Sequence, residues 1–161
     1  MILECIPLKE IIIDKIRLPF GIPRELVRAK LGVAFEEQNE EILLENESNP
    51  ILLRRDLYNQ LHSNESYFFL NYDQNDQLAE LEVHHCKKIK LYNLEFNFMD
   101  EAALIASELS RHSKLTEEKE GFWHFGAIKV QLMDEKQMGG EESGQLGYFF
   151  CAAVAQTGSA R

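Results

Sequence analysis

The strongest constraint on the fold is a unit written twice. From Ile16 to Gly32 the chain reads Ile-Arg-Leu-Pro-Phe-Gly-Ile-Pro-Arg-Glu-Leu-Val-Arg-Ala-Lys-Leu-Gly, a short extended piece, a sharp turn and a capped helix. Pro23 fixes φ near helical values and suits the first helical turn. Glu25 then meets the positive end of the helix dipole. Leu26, Val27 and Leu31 gather on one side, with Arg24, Arg28 and Lys30 mostly elsewhere. Gly32 is a natural stop, since glycine accepts the left-handed conformation. A degenerate copy runs from Leu94 to Ser110 at an offset of 78 residues, Phe20 to Phe98. Under that offset Leu26, Val27 and Leu31 match Leu104, Ile105 and Leu109, and Asp100 is placed to cap the second helix. The apolar face is kept and the surface is not, as a packing constraint would leave it.

At 161 residues the chain is one ordinary domain or two small fused repeats. Apolar content of 45% supports a real core. No apolar run approaches the ~18 residues of a membrane-spanning helix. The start, Met-Ile-Leu-Glu-Cys-Ile-Pro, lacks the features of a secretory signal. Three scattered cysteines, Cys5, Cys86 and Cys151, make no disulfide framework. A reducing, cytoplasmic location is the expectation. A net charge of −10 argues against nucleic acid and permits a basic protein partner, although acidity also serves plain solubility.

Ile2 to Ile6 and Ile11 to Ile16 read as extended pieces, the second β-branched throughout at Ile11-Ile12-Ile13. The Glu-rich run after Phe35 reads as an exposed loop or helical face. Asn49-Pro50 is a breaker. Ile51 to Leu61 fits neither the helical nor the strand period and stays open between the two. Tyr67 to Tyr72 reads as a strand, Asp73 to Asp76 as a hairpin loop, and Gln77 to His85 as a half-buried strand with alternating faces. Lys88 to Phe96 is extended, Asp100 to Ser110 helical, and Leu115 to Gly121 a turn. Phe122 to Leu132 alternates as one strand, Asp134 to Gln145 is a loop, Gly147 to Val154 a closing strand, and Ala155 to Arg161 a frayed tail. Neighbouring strands favour antiparallel pairing. The expected fold is therefore α+β: two tandem repeats, residues 1–87 and 88–161, fused into one unit. Each is a capped helix packed on antiparallel strands, forming one continuous curved antiparallel sheet with helices on one face.

Chemistry-bearing motifs are scarce. His84-His85-Cys86 is the one metal-type cluster, but strand neighbours diverge, and help would have to come from His62 or His124. Neither a nucleophile elbow nor a phosphate-binding glycine loop occurs, and Gly139-Gly140 and Gly144 lie in an acidic loop. Cys5 and Cys151 read as small core residues. No catalytic residue, metal or cofactor is expected, and the chain reads as a non-enzyme.

Aromatic residues carry what remains. With Phe68, Leu70, Leu81, Val83, Ile128 and Val130 against the helices, alternation sends Tyr67, Phe69, Glu80, Glu82, Trp123, Phe125 and Lys129 to the other face. Aromatics mixed with carboxylates on an open sheet make a protein-binding surface. The stretch Phe20 to Gly32 also resembles the Phe-Gly-…-Leu-Val-…-Leu-Gly unit of small bacterial proteins of the β-lactamase-inhibitor-protein-like and SmpA/OmlA-like kind. That resemblance implies two helix-plus-sheet repeats gripping another protein, and some cytosolic relatives resemble immunity proteins. Met99 stands where the first copy has Gly21, and the disulfides and signal peptide of secreted inhibitors are missing. The functional expectation is a protein-binding module, immunity-like, for a basic partner. Two alternatives stand beside it: a small-molecule binder or hydrolase with a pocket between the repeats under the Asp134–Gln145 loop, and a structural homodimer.

Overall fold

The computed structural model describes residues 1–45, 48–59 and 66–154. Among them β-branched and aromatic runs form thirteen strands around two short helices. In chain order these are β1 (Ile2–Ile6), β2 (Glu10–Ile13), β3 (Ile16–Pro19), α1 (Arg24–Leu31), β4 (Glu36–Ile42), β5 (Ile51–Tyr58), β6 (Tyr67–Tyr72) and β7 (Leu78–His85). Then follow β8 (Lys88–Leu91), β9 (Leu94–Phe96), α2 (Ala102–Leu109), β10 (Glu117–Lys119), β11 (Phe122–Phe125), β12 (Val130–Asp134) and β13 (Leu146–Ala152). The molecule is α+β and its pairing is mostly antiparallel.

The strands form two sheets where sequence patterning predicts one. A five-stranded sheet has the order β3-β2-β1-β8-β9, and an eight-stranded sheet the order β10-β11-β12-β13-β7-β6-β5-β4. The smaller sheet is built from the short β2–β3 and β8–β9 hairpins, with β1 between them. Left-handed residues close them: Asp14 at φ 46° and Lys15 at φ 74°, and Tyr92 at φ 56°. In the smaller sheet β1 is antiparallel to β2 and parallel to β8.

The core lies between the sheets. Leu3, Cys5, Ile11, Ile13, Ile89 and Leu91 of the smaller sheet meet Phe68, Leu70, Leu81, Val83, Phe149 and Cys151 of the larger one. The Phe96 ring stands 6.0 Å from that of Phe149. Both helices pack on this same inner face. Val27 and Leu31 come from α1, and Ala102, Ile105, Ala106 and Leu109 from α2.

The same contacts recur in both halves. Arg24 N donates to Asp76 O at 2.8 Å, and Ala102 N to Gly144 O at 2.9 Å. Leu78 N donates to Ile22 O at 2.9 Å, and Leu146 N to Asp100 O at 2.9 Å. Pro23 bridges to Gln77, and Glu101 to Gln145. At the centre of the larger sheet β7 and β13 pair so that Leu81 faces Cys151, Glu82 faces Phe150 and Val83 faces Phe149.

Several local expectations need correction. The acidic run is strand β4, made so by pairing with β5 and not by its own propensity. Residues 51–58 are a strand, and 60 and 61 lie outside the described residues, as do His62 and the 155–161 tail. The 115–121 turn contains strand β10. The 122–132 stretch is a hairpin, β11 and β12, in place of one strand. Pro23 precedes the first helical residue, and Glu101 occupies the corresponding place before α2. Asp100 caps the preceding turn instead, accepting from Asn97 N at 2.8 Å. Gly32 ends α1 at φ 60° as its conformational freedom predicts. Leu26 points outward, and Arg24 takes the buried position beside Val27.

Candidate functional site

The outer face of the eight-stranded sheet follows from strand alternation. Leu81 and Val83 of β7 point inward, so Glu80, Glu82 and His84 point out. Cross-strand pairing extends that face. Asn71 lies opposite Glu80, Phe69 opposite Glu82, and Phe150 opposite Glu82 on the other side. Gln131 faces Phe150, and His124 faces Gln131. Glu36 and Gln38 at one edge and Glu117 at the other belong to the same surface.

A cleft of about 940 Å³ opens on this face. Asn71, Glu80, Gln131, Phe150 and His124 border it, with Arg54 and Lys129 at its rim. Arg54 is engaged by Asp76 at 2.9 Å. Asn71 Nδ2 donates to Glu80 Oε2 at 3.0 Å and to Glu82 Oε1 at 2.7 Å. Both carboxylates only accept, so the amide nitrogen must face them. Asn71 Oδ1 is then buried with no hydrogen-bond partner, and so is His124 Nδ1.

Beside the cleft His84 is ringed by aromatics. Its imidazole makes edge contacts with Tyr67 at 5.5 Å, Phe69 at 5.6 Å and Tyr148 at 5.4 Å. Burial holds the His84 pKa below its ordinary value, against the opposing pull of Glu82. Burial likewise raises the Tyr148 phenol. The Arg55 guanidinium lies over Phe69, 4.1 Å from the ring centroid.

No protein family, curated protein or solved structure matches this chain.

Of the residues singled out from sequence, Tyr67, Phe69, Glu80 and Glu82 share the outer face, and Lys129 borders the cleft from the β11–β12 turn at φ 53°. Trp123 and Phe125 lie on the opposite, inner face, buried in the core. The reason is register. Phe125 pairs with Val130 and Trp123 with Leu132, so the hairpin turn exchanges odd for even positions between its strands. Phe122 and His124 point out instead. Asn71, His84, His124, Gln131, Tyr148 and Phe150 were not singled out for this face. Alternation carried through Leu146–Ala152, with Phe149 and Cys151 inward, exposes Tyr148 and Phe150.

A second polar cluster sits on the inner face and its chemistry is structural. Asp56 is fully buried. Its Oδ1 accepts from Arg24 Nη2 at 2.6 Å and Arg28 Nη2 at 2.8 Å, and its Oδ2 from Arg28 Nε at 2.9 Å. Arg24 also donates to Asn39 Oδ1 at 3.1 Å and to Arg55 O at 3.0 Å, and Arg28 to Glu37 at 2.5 Å. The cluster joins α1 to β4 and β5 with its guanidinium donors engaged. Burial pushes the Asp56 pKa up, but hydrogen bonds from Arg28 and Arg24 with their charges outweigh it and hold the carboxyl below its usual range. The Tyr58 and Tyr72 hydroxyls nearby have no partner in hydrogen-bond geometry, and burial raises both phenols.

Among the described residues no group of three or more His, Cys, Asp or Glu side chains is placed to hold a metal ion. His84, His85 and Cys86 diverge: His84 joins the aromatic cluster, His85 lies tilted beside Phe98 at 5.6 Å, and Cys86 is buried. Burial pushes the Cys86 thiol up to about 12, which removes its nucleophilic form at neutral pH. A smaller cleft of about 640 Å³ lies under the 135–147 loop, bordered by His85, Phe98, Met99 and Met138. Among the described residues no helix is long and apolar enough to cross a membrane.

Proposed function

We propose that this chain is a non-catalytic protein-binding module that presents the outer face of its eight-stranded sheet to a basic protein, in the manner of an immunity-type inhibitor. The observation that carries this reading is the composition of that face. Tyr67, Tyr148 and Phe150 stand among Glu36, Glu80, Glu82 and Glu117 while the helices and the smaller sheet occupy the other side. Aromatic anchors rimmed by charge are the usual make-up of a binding surface. The net charge of −10 favours steered association with a cation-rich partner. The two halves are read as diverged copies joined into one platform, supported by the recurring hydrogen bonds at Ile22 and Asp100 and by the Glu82–Phe150 pairing at the centre.

Capture from host lysate with wild-type chain and with a Tyr67→Ala/Glu80→Lys/Glu82→Lys variant tests this. A basic protein retained by the wild type, lost by the variant and released by salt is the expected result. Screening acts over about 10 Å at 0.1 M salt, so release should begin in that range. A partner held equally by both baits, or held regardless of salt, overturns the reading. A small-molecule role is the second reading, favoured by the 640 Å³ cleft under the 135–147 loop.

A further inference from the structure

We infer that the cleft on the outer face is a receptor for one arginine side chain of the partner, with Asn71 and Glu80 in its floor and Glu82 adjoining it through the shared Asn71 amide. This rests on the protein-binding reading and adds the chemistry that the partner must bring.

The floor is made of acceptors. Glu80 and Glu82 are two apart on β7 and project from the same face, and both accept from the single Asn71 amide. One amide serving two carboxylates leaves most of their lone pairs open. Asn71 is only 5% exposed, yet its Oδ1 has no donor. His124 Nδ1 is also buried with no hydrogen-bond partner. Buried acceptors without donors are rare in folded proteins and ask for a ligand that donates. A guanidinium supplies five donors, no acceptor and a positive charge. Its planar fork matches carboxylate geometry, and the half-buried Phe150 ring offers it a face to lie on. An ammonium fills the charge requirement but neither spans both carboxylates nor stacks. Lys129 at the rim opposes the incoming charge and sets a limit on affinity.

The experiment is an NMR titration of the full chain with N-acetyl-L-arginine amide, N-acetyl-L-citrulline amide and N-acetyl-L-lysine amide, read at the Asn71 side-chain amide. Citrulline keeps the shape and removes the charge. A saturable shift with the arginine probe, weakened roughly tenfold or more with citrulline, is expected from loss of a charge-assisted contact. Glu80→Gln and Glu82→Gln, which keep the shape of the floor, should each weaken the arginine probe, and Lys129→Ala should strengthen it. Equal responses to arginine and citrulline, or an Asn71 amide unmoved by arginine, overturn the site. Equal binding of the lysine probe overturns the guanidinium specificity. Misfolding of a floor variant leaves the wild-type comparison decisive. Probe binding without any captured protein defeats the partner reading alone, and a captured protein without probe binding defeats the arginine site alone.

Discussion

Asp56 is the residue on which one side of the molecule is hung. Two arginines from α1 converge on its carboxylate, which is itself fully buried. Removing one partner of a buried ion cluster leaves the others charged and unpaired, so Asp56→Ala should cost about 3–5 kcal/mol. Urea unfolding measures that directly. The pH sense follows from the depressed folded pKa. Stability from Asp56 is present above the unfolded value of about 3.9 and is lost as pH falls through the folded value. Wild-type stability should therefore fall on acidification below about pH 4, and Asp56→Asn should flatten that slope. An unchanged slope would show that the carboxylate carries no linkage. Under the proposed reading of the halves as copies, the corresponding position in the other half carries no charge. Trp123 lies inward opposite Leu132, as Asp56 does opposite Leu70, and Ala102 and Ala106 stand where α1 has Arg24 and Arg28. Even the edge carboxylate recurs: Glu118 accepts from Trp123 Nε1 at 3.1 Å, where Glu37 accepts from Arg28. An Arg24→Ala/Arg28→Ala/Asp56→Trp variant should accordingly be far less destabilised than Asp56→Ala, since replacing a whole buried ion cluster with apolar groups is often neutral. A triple variant as unstable as the single one would refute the equivalence.

At the level of elements, what could be read from sequence depended on whether a pattern was local. Tyr67–Tyr72 announces itself as an apolar, aromatic run, Leu78–His85 by alternation, and the Val27 and Ile105 positions by helical period. The β4 strand has no such signal, because Glu36–Ile42 is extended only through its ladder with β5. The faces of Trp123 and Phe125 depended on one hairpin register, which a continuous reading of 122–132 inverts. Arg24 was placed outside because periodicity treats arginine as a surface residue, and it cannot know that Asp56 waits opposite. On the candidate site, Tyr67, Phe69, Glu80 and Glu82 were visible, and Asn71 follows Tyr67 and Phe69 by the same alternation, whereas His124 and Gln131 enter only through pairing across the sheet. Two glycines, one in β13 and one in the turn before α1, give an element-level test. A Cβ at Gly147 would fall 2.8 Å from Glu135 Cα, where β12 and β13 lose register between Met133 and Asp134. At Gly21 nothing lies within 4 Å, and only the φ of +88° opposes a side chain. Gly147→Ala should thus cost about 1–3 kcal/mol through overpacking, and Gly21→Ala about 1–2 kcal/mol through backbone strain alone. Crowding predicts a disturbed β12–β13 pairing in the first variant and intact pairing in the second, which amide hydrogen exchange at Tyr148 and Phe150 distinguishes.

For the whole molecule, the question is whether the halves can unfold separately, and the strand order argues that they cannot. The seam between them is the middle of the larger sheet, where β7 and β13 pair over four residues from Phe149–Val83 to Ala152–Glu80. In the smaller sheet β1 is shared, with Cys5 beside Ile11 on one side and Leu91 on the other. Opening either half exposes the inner face of the other, including Cys151 against Cys5. Exposing that much apolar area costs more than a local opening could return, so a chain of this size should melt in one cooperative step. Trp123 is the single tryptophan and reports on the second half alone. The Asp56→Ala lesion lies in the first half. If the sheets couple the halves, the variant should shift the urea midpoint of Trp123 fluorescence by the same amount as the midpoint of far-ultraviolet circular dichroism. A fluorescence midpoint that stays at the wild-type value while the dichroism splits into two phases would mean that the two meanders are separate folding units placed side by side.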